Sequence, residues 1–119
     1  MREKNEKENK IQKEIRRYKK MYANVDENKR ILAEKLYNEL AFMSVTLLEL
    51  KENINEKGAV LEQMNGNGFR VTAENPAQKS YNAIIKNYNA VAKALADILS
   101  DAEGPENSEL LQFIRRDNK

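Results

Sequence analysis

Lys10, Lys13, Arg16, Arg17 and Lys20 are the residues of this chain whose type and spacing suit a chemical task, and the task is holding an anion. At about 100° per residue they gather on one side of a helix, opposite Ile11, Ile15, Tyr18 and Tyr22. One side of such a helix can dock while the other is free for phosphate. Lys29 and Arg30 extend the set beyond a short break in the pattern. Cations on phosphate oxygens fix position and orientation but read no bases. On pattern alone a merely solvated face explains the same residues about equally well, because charged helix faces are common.

Other chemistries lack their residues. The chain has no Cys, so disulfides, thiolate metal sites and thiol nucleophiles are removed together. It has no His, the usual neutral-pH general base and commonest zinc ligand. Ser44, Ser80, Ser100 and Ser108 therefore have no imidazole to activate them. Gly66-Asn67-Gly68 lacks the Gly-Lys-Ser/Thr continuation of a phosphate-cradling loop and reads as a turn. The expectation is a protein that is not an enzyme and has no cofactor, metal or small-molecule substrate.

Composition sets the class. Charged residues are 34% of the 119, and mean hydropathy is −0.83, yet the apolar residues fall into periodic runs. That points to a charged helical protein with ordered seams. Net charge is only +2, but residues 1–20 carry nine Lys/Arg against four Glu. The charged N-terminus lacks the apolar core of a secretory signal. No apolar run approaches the roughly 20 residues of a membrane span. A soluble intracellular protein is expected.

The elements that must position the cations follow from periodicity. Residues 1–10 are a polar run of Lys, Glu and Asn expected to fray, with regular helix from about Lys10. After Asn24-Val25-Asp26, either Asn24 or Asp26 caps a second helix running from about Glu27 to Lys57 and closed by Gly58. Its stripe is Ala33, Leu36, Leu40, Met43, Leu47, Leu50 and Ile54, a heptad seam. Tyr37, Ala41, Val45 and Leu48 widen it on one flank. Residues 59–73 break the period, and Val60-Leu61 and Phe69-Arg70-Val71-Thr72 around Asn65-Gly66-Asn67-Gly68 read as a short β-hairpin. Asn65-Gly66 is expected to supply its positive φ angles. Asn75 then caps a third helix, with Pro76 in its first turn and Gln78 completing a box-like cap.

That third helix carries Tyr81, Ile84, Tyr88, Val91, Leu95 and Ile98 and ends near Asp101, before Gly104-Pro105. Tyr81 and Tyr88 lie on its seam and are expected to pack rather than stack on bases. Asn82 and Asn89, beside the seam, either set register by hydrogen bonding or are simply exposed. The fold class is mainly α: a long antiparallel helical hairpin with a short β-hairpin between its helices and a basic N-terminal helix. The divisions are 1–24, a basic helical arm; 25–102, the oligomerising core; and 103–119, a flexible acidic and apolar tail. A two-helix hairpin of this size is short of stabilising surface. Self-association into an oligomer is therefore the preferred expectation, and cover by Ile11, Ile15, Tyr18 and Tyr22 within one chain is the alternative.

Several motifs in order carry a resemblance. Asp26-Glu27-Asn28-Lys29, Ala33-Glu34-Lys35-Leu36, Ala41-Phe42-Met43 and Thr46-Leu47-Leu48-Glu49-Leu50-Lys51 are followed by Asn55-Glu56-Lys57-Gly58-Ala59-Val60. After the turn come Glu74-Asn75-Pro76-Ala77, Lys79, Tyr81-Asn82, Ile85-Lys86 and Tyr88-Asn89. Across about residues 16–101 this resembles the small subunit of phage terminase. The resemblance implies a ring-forming helical protein of the host bacterial cytoplasm that binds viral double-stranded DNA. It also implies a partnership with the terminase large subunit, which holds the ATPase and nuclease. Many members have a fuller helix-turn-helix at the N-terminus, where this chain offers one basic helix. On this reading Lys10, Lys13, Arg16, Arg17, Lys20, Lys29 and Arg30 meet DNA, and Glu103 to Arg116 is a candidate contact for the large subunit. The rival is a structural coiled-coil adaptor with no nucleic-acid role; a helix lying on a membrane surface is a poorer third, since its apolar face lacks Trp and Leu.

Overall fold

A computed structural model describes residues 2–102, so the expectations for the 103–119 tail lie outside the described residues. The order is α1 (Arg2–Met21), α2 (Glu27–Lys57), β1 (Val60–Met64), β2 (Arg70–Glu74) and α3 (Pro76–Ala102). The protein is mainly helical, with a two-stranded antiparallel hairpin between its second and third helices. No helix among the described residues is long and apolar enough to cross a membrane.

The helix boundaries have local causes. Asp26, not Asn24, caps α2: its backbone is extended and its Oδ1 accepts from the Lys29 N–H at 3.2 Å. Gly58 ends α2 at φ 89°, a conformation that disfavours a side chain, and its N–H donates to the Ile54 carbonyl at 2.7 Å. Asn75 starts α3 by accepting from the Ala77 N–H at 2.9 Å. The same side chain is buried, and its Nδ2 donates to Asn53 Oδ1 and to the Gly58 carbonyl. One amide thus closes α2 onto the start of α3. Gln78 forms no capping box; its Nε2 donates to Asn82 Oδ1 one turn along.

The hairpin pairs Val60 with Glu74 through to Met64 with Arg70. Its turn differs from the Asn-Gly reversal expected. Gly68 takes the positive φ, 83°, and neither Asn65 nor Gly66 does. Asn65 closes the loop instead: its Oδ1 accepts from the N–H groups of Asn67 and Phe69, and its N–H donates to the Phe69 carbonyl. A three-residue loop that ends in a left-handed glycine matches the strand twist without Asn-Gly at its centre.

Two apolar clusters hold the helices together. The larger joins Tyr22, Val25, Ala33, Tyr37, Leu40, Leu95 and Ile98, with Ile15 and Tyr18 packed against it, so it draws on all three helices and the α1–α2 turn. The smaller sets Ile11, with Ile15, against Ala41 and Val45. The flank of α2 formed by Tyr37, Ala41 and Val45 is therefore covered by α1 of the same chain, the arrangement weighed above as the alternative to self-association. Helix α1 also begins at Arg2 rather than near Lys10. Lys7 anchors that extra length: its Nζ lies 2.8 Å from Glu49 and 4.9 Å from the Phe42 ring centre. Polar composition alone reads as fraying; a partner helix holds it.

Candidate nucleic-acid interface

Docking α1 by its apolar side turns its other side outward. Lys10, Lys13, Arg16, Arg17 and Lys20 are all exposed. Ile11, Ile15, Tyr18 and Tyr22, which face α2 and α3, keep the helix from rotating and so keep the cations in solvent. Lys29 and Arg30 stand in the first turn of α2, Lys29 half-buried and Arg30 exposed.

The seven do not form one patch. Lys10, Lys13 and Arg17 line a groove of about 550 Å³ that runs between α1 and α3 over α2. Arg16, Lys20, Lys29 and Arg30 do not line it. Lys51 of α2 does, and the stripe on α1 gave no sign of it, because α1 cannot specify which α2 residue comes alongside. The floor is apolar and aromatic, with Leu47, Leu48, Tyr81, Ile85 and Tyr88. The groove exists because the α1 residues turned toward this part of α3 are long charged side chains that cannot seal an apolar seam. Farther along, Tyr22 does seal it: its hydroxyl donates to the Leu95 carbonyl at 2.7 Å. Tyr81 and Tyr88 are accordingly half-buried, whereas Leu95 and Ile98 are buried.

Among the seven cations, Arg17 has a carboxylate partner among the described residues, Glu14 at 2.7 Å. Arg17 is two-thirds exposed, so this pair contributes little to stability and leaves the guanidinium available to another anion. Lys7, outside the seven, also has a carboxylate partner, Glu49 at 2.8 Å, and is less exposed than Arg17. Nearby phenols feel the packing. Burial raises the Tyr18 pKa, and the neighbouring Tyr88 adds to the rise. Burial, assisted by Tyr18, pushes Tyr22 up to about 12. Both therefore stay neutral and serve as packing and donor groups. Asn82 and Asn89 are exposed in the single chain.

Fold and site together define a mainly helical three-helix protein whose first helix presents cations to solvent beside an apolar groove. No protein-family model, curated protein or solved structure matches the chain.

Proposed function

We propose that this chain is a phage terminase small subunit, a non-catalytic protein that binds viral double-stranded DNA and recruits the large subunit. It acts in the host bacterial cytoplasm as an oligomer of identical copies. The ordered run of motifs across residues 16–101 supports the family, and one observation carries the DNA-binding part. A helix with five cations on one side is docked by its apolar other side, so all five are exposed. Phosphate contact from such a surface supplies affinity without sequence reading. Ile31, Leu32 and Phe42 on α2, each half-exposed, support self-association as large apolar groups that α1 and α3 leave partly in solvent.

The test is duplex-DNA binding across a salt series. With four to six phosphates contacted, log affinity falls against log salt with a slope of about −3.6 to −5.4. Replacing Lys10, Lys13 and Arg17 together by Gln makes that slope shallower by about 2.7, and fluorescence anisotropy reads both values. A flat salt dependence rejects DNA binding and leaves the coiled-coil adaptor, in which the basic helix only solubilises.

A further inference from the structure

The groove between α1 and α3 combines two properties that rarely share one surface. Its floor offers Leu48, Ile85, Tyr81 and Tyr88, and its rim offers Lys10 and Lys13. Leu48 is 46% exposed although it lies at the centre of a helical protein, so this apolar floor is uncovered. A bare polyanion satisfies the rim and leaves the floor wet. The complementary ligand is an acidic segment followed by a block of large apolar side chains.

This chain carries such a segment directly after α3. Glu103, Glu106 and Glu109 precede Leu110, Leu111, Phe113 and Ile114, with no Lys or Arg before Arg115. We propose that the groove is the docking site for the chain's own residues 103–116, with Glu106 and Glu109 toward the cationic rim and the apolar block on the floor. The order of the two halves fits. Tyr22 on the Leu95 carbonyl sets the C-terminal ends of α1 and α3 side by side. A chain leaving α3 at Ala102 and turning back therefore passes Arg17 and Lys13 before it reaches Tyr81. The lengths fit as well. Tyr88 and Tyr81 lie about 21 and 32 Å back along α3 from Ala102 at 1.5 Å per residue. Leu110 to Ile114 reach at most about 26 to 40 Å when extended at 3.3 Å per residue. The Gly104-Pro105 sequence disfavours helix at the point where the proposed path reverses.

Occupation covers Lys10, Lys13 and Arg17, so the segment competes in the same molecule with a polyanion for those cations. That consequence rests on the DNA reading, whereas the docking does not. Because the chain has no Cys, engineered thiols are the only ones present. Leu48→Cys is combined, in the full chain, with Cys in turn at Leu110, Leu111, Phe113 and Ile114, and mild oxidation is followed by mass under non-reducing conditions. The expected result is a cross-link of one-chain mass for at least one pair, with yield about tenfold above a Thr72→Cys control on the hairpin, since docking raises local concentration. Reversing Glu106 and Glu109 to Lys lowers that yield about tenfold. Yields equal to the control, products of two-chain mass, or indifference to the charge reversal each overturn the proposal, and none involves DNA.

Discussion

Tyr22 ties the three helices with one side chain: it follows α1 directly, tilts against Tyr37 of α2 at 6.2 Å between ring centres, and donates to the Leu95 carbonyl of α3. Its pKa of about 12, raised first by burial and then by Tyr18, exceeds the value near 10 of an unfolded tyrosine. The folded chain therefore keeps a proton that the unfolded chain loses. This contribution is whole below pH 10 and disappears as pH rises from 10 through 12. Two pKa units set its ceiling at about 2–3 kcal/mol. Tyr22→Phe is expected to cost about 1 kcal/mol at neutral pH and to flatten the alkaline loss, as read from urea midpoints at pH 7 and 11. Asn75 is the second such residue. Asn75→Asp keeps the cap on Ala77 but turns a carboxylate toward Asn53 Oδ1 and the Gly58 carbonyl, two acceptors. It should destabilise the chain by about 2–3 kcal/mol at pH 7. The loss should shrink toward pH 4, because the folded state raises that carboxyl's pKa and favours its protonated form. An equal loss at both pH values counts against the donor role.

Among the elements, α1 owes most to its tertiary context. Its periodic stripe marks the docking side, and the two clusters use all four residues of that stripe. Its first ten residues have no apolar pattern, and their helicity draws on Lys7 reaching Glu49 and Phe42. If α1 is a packed helix, Ile11→Ala should lower stability by about 2–4 kcal/mol in urea unfolding. Lys19→Ala, an exposed position on the same helix, should stay within about 0.5 kcal/mol. Matching losses would mean that α1 does not bear on the core. The β-hairpin shows the opposite case. Asn65-Gly66-Asn67-Gly68 was enough to mark a reversal, but the closing pair decided which residue went left-handed. That pair is Asn65 with Phe69, and the residue is Gly68.

The described residues measure 67 × 32 × 26 Å, an elongated form in which α1 and α3 both pack on the shared helix α2. Cover by α1 removes part of the apolar surplus that argues for self-association, since Tyr37, Ala41 and Val45 are buried within one chain. Ile31, Leu32 and Phe42 remain half-exposed on α2. If the oligomer forms through this face, native mass spectrometry at micromolar concentration should give multiples of 13.8 kDa. Ile31→Glu combined with Leu32→Glu should return the chain to one copy, because each buried charge without a partner costs several kcal/mol. An unchanged mass distribution would move the interface elsewhere, and single copies in the parent chain would remove it.

Much of the fold was legible because it is local. Helix periodicity, Asp26 and Asn75 as caps, Gly58 as a stop and the glycine-rich reversal each act within a few residues of themselves, so the linear chain contains their cause. The outward set of cations was legible for the same reason, as one helix carries both its apolar and its basic sides. What needed the tertiary structure depends on how far one helix slides along another. That offset puts Lys51 on the same groove as Lys10 and Lys13, and brings Lys7 to Glu49. It also leaves Tyr81 and Tyr88 in an open groove while Leu95 and Ile98 are sealed. A heptad stripe repeats every seven residues and is satisfied by several such offsets; only the summed packing of Tyr18, Tyr22 and Tyr37 against α3 selects one.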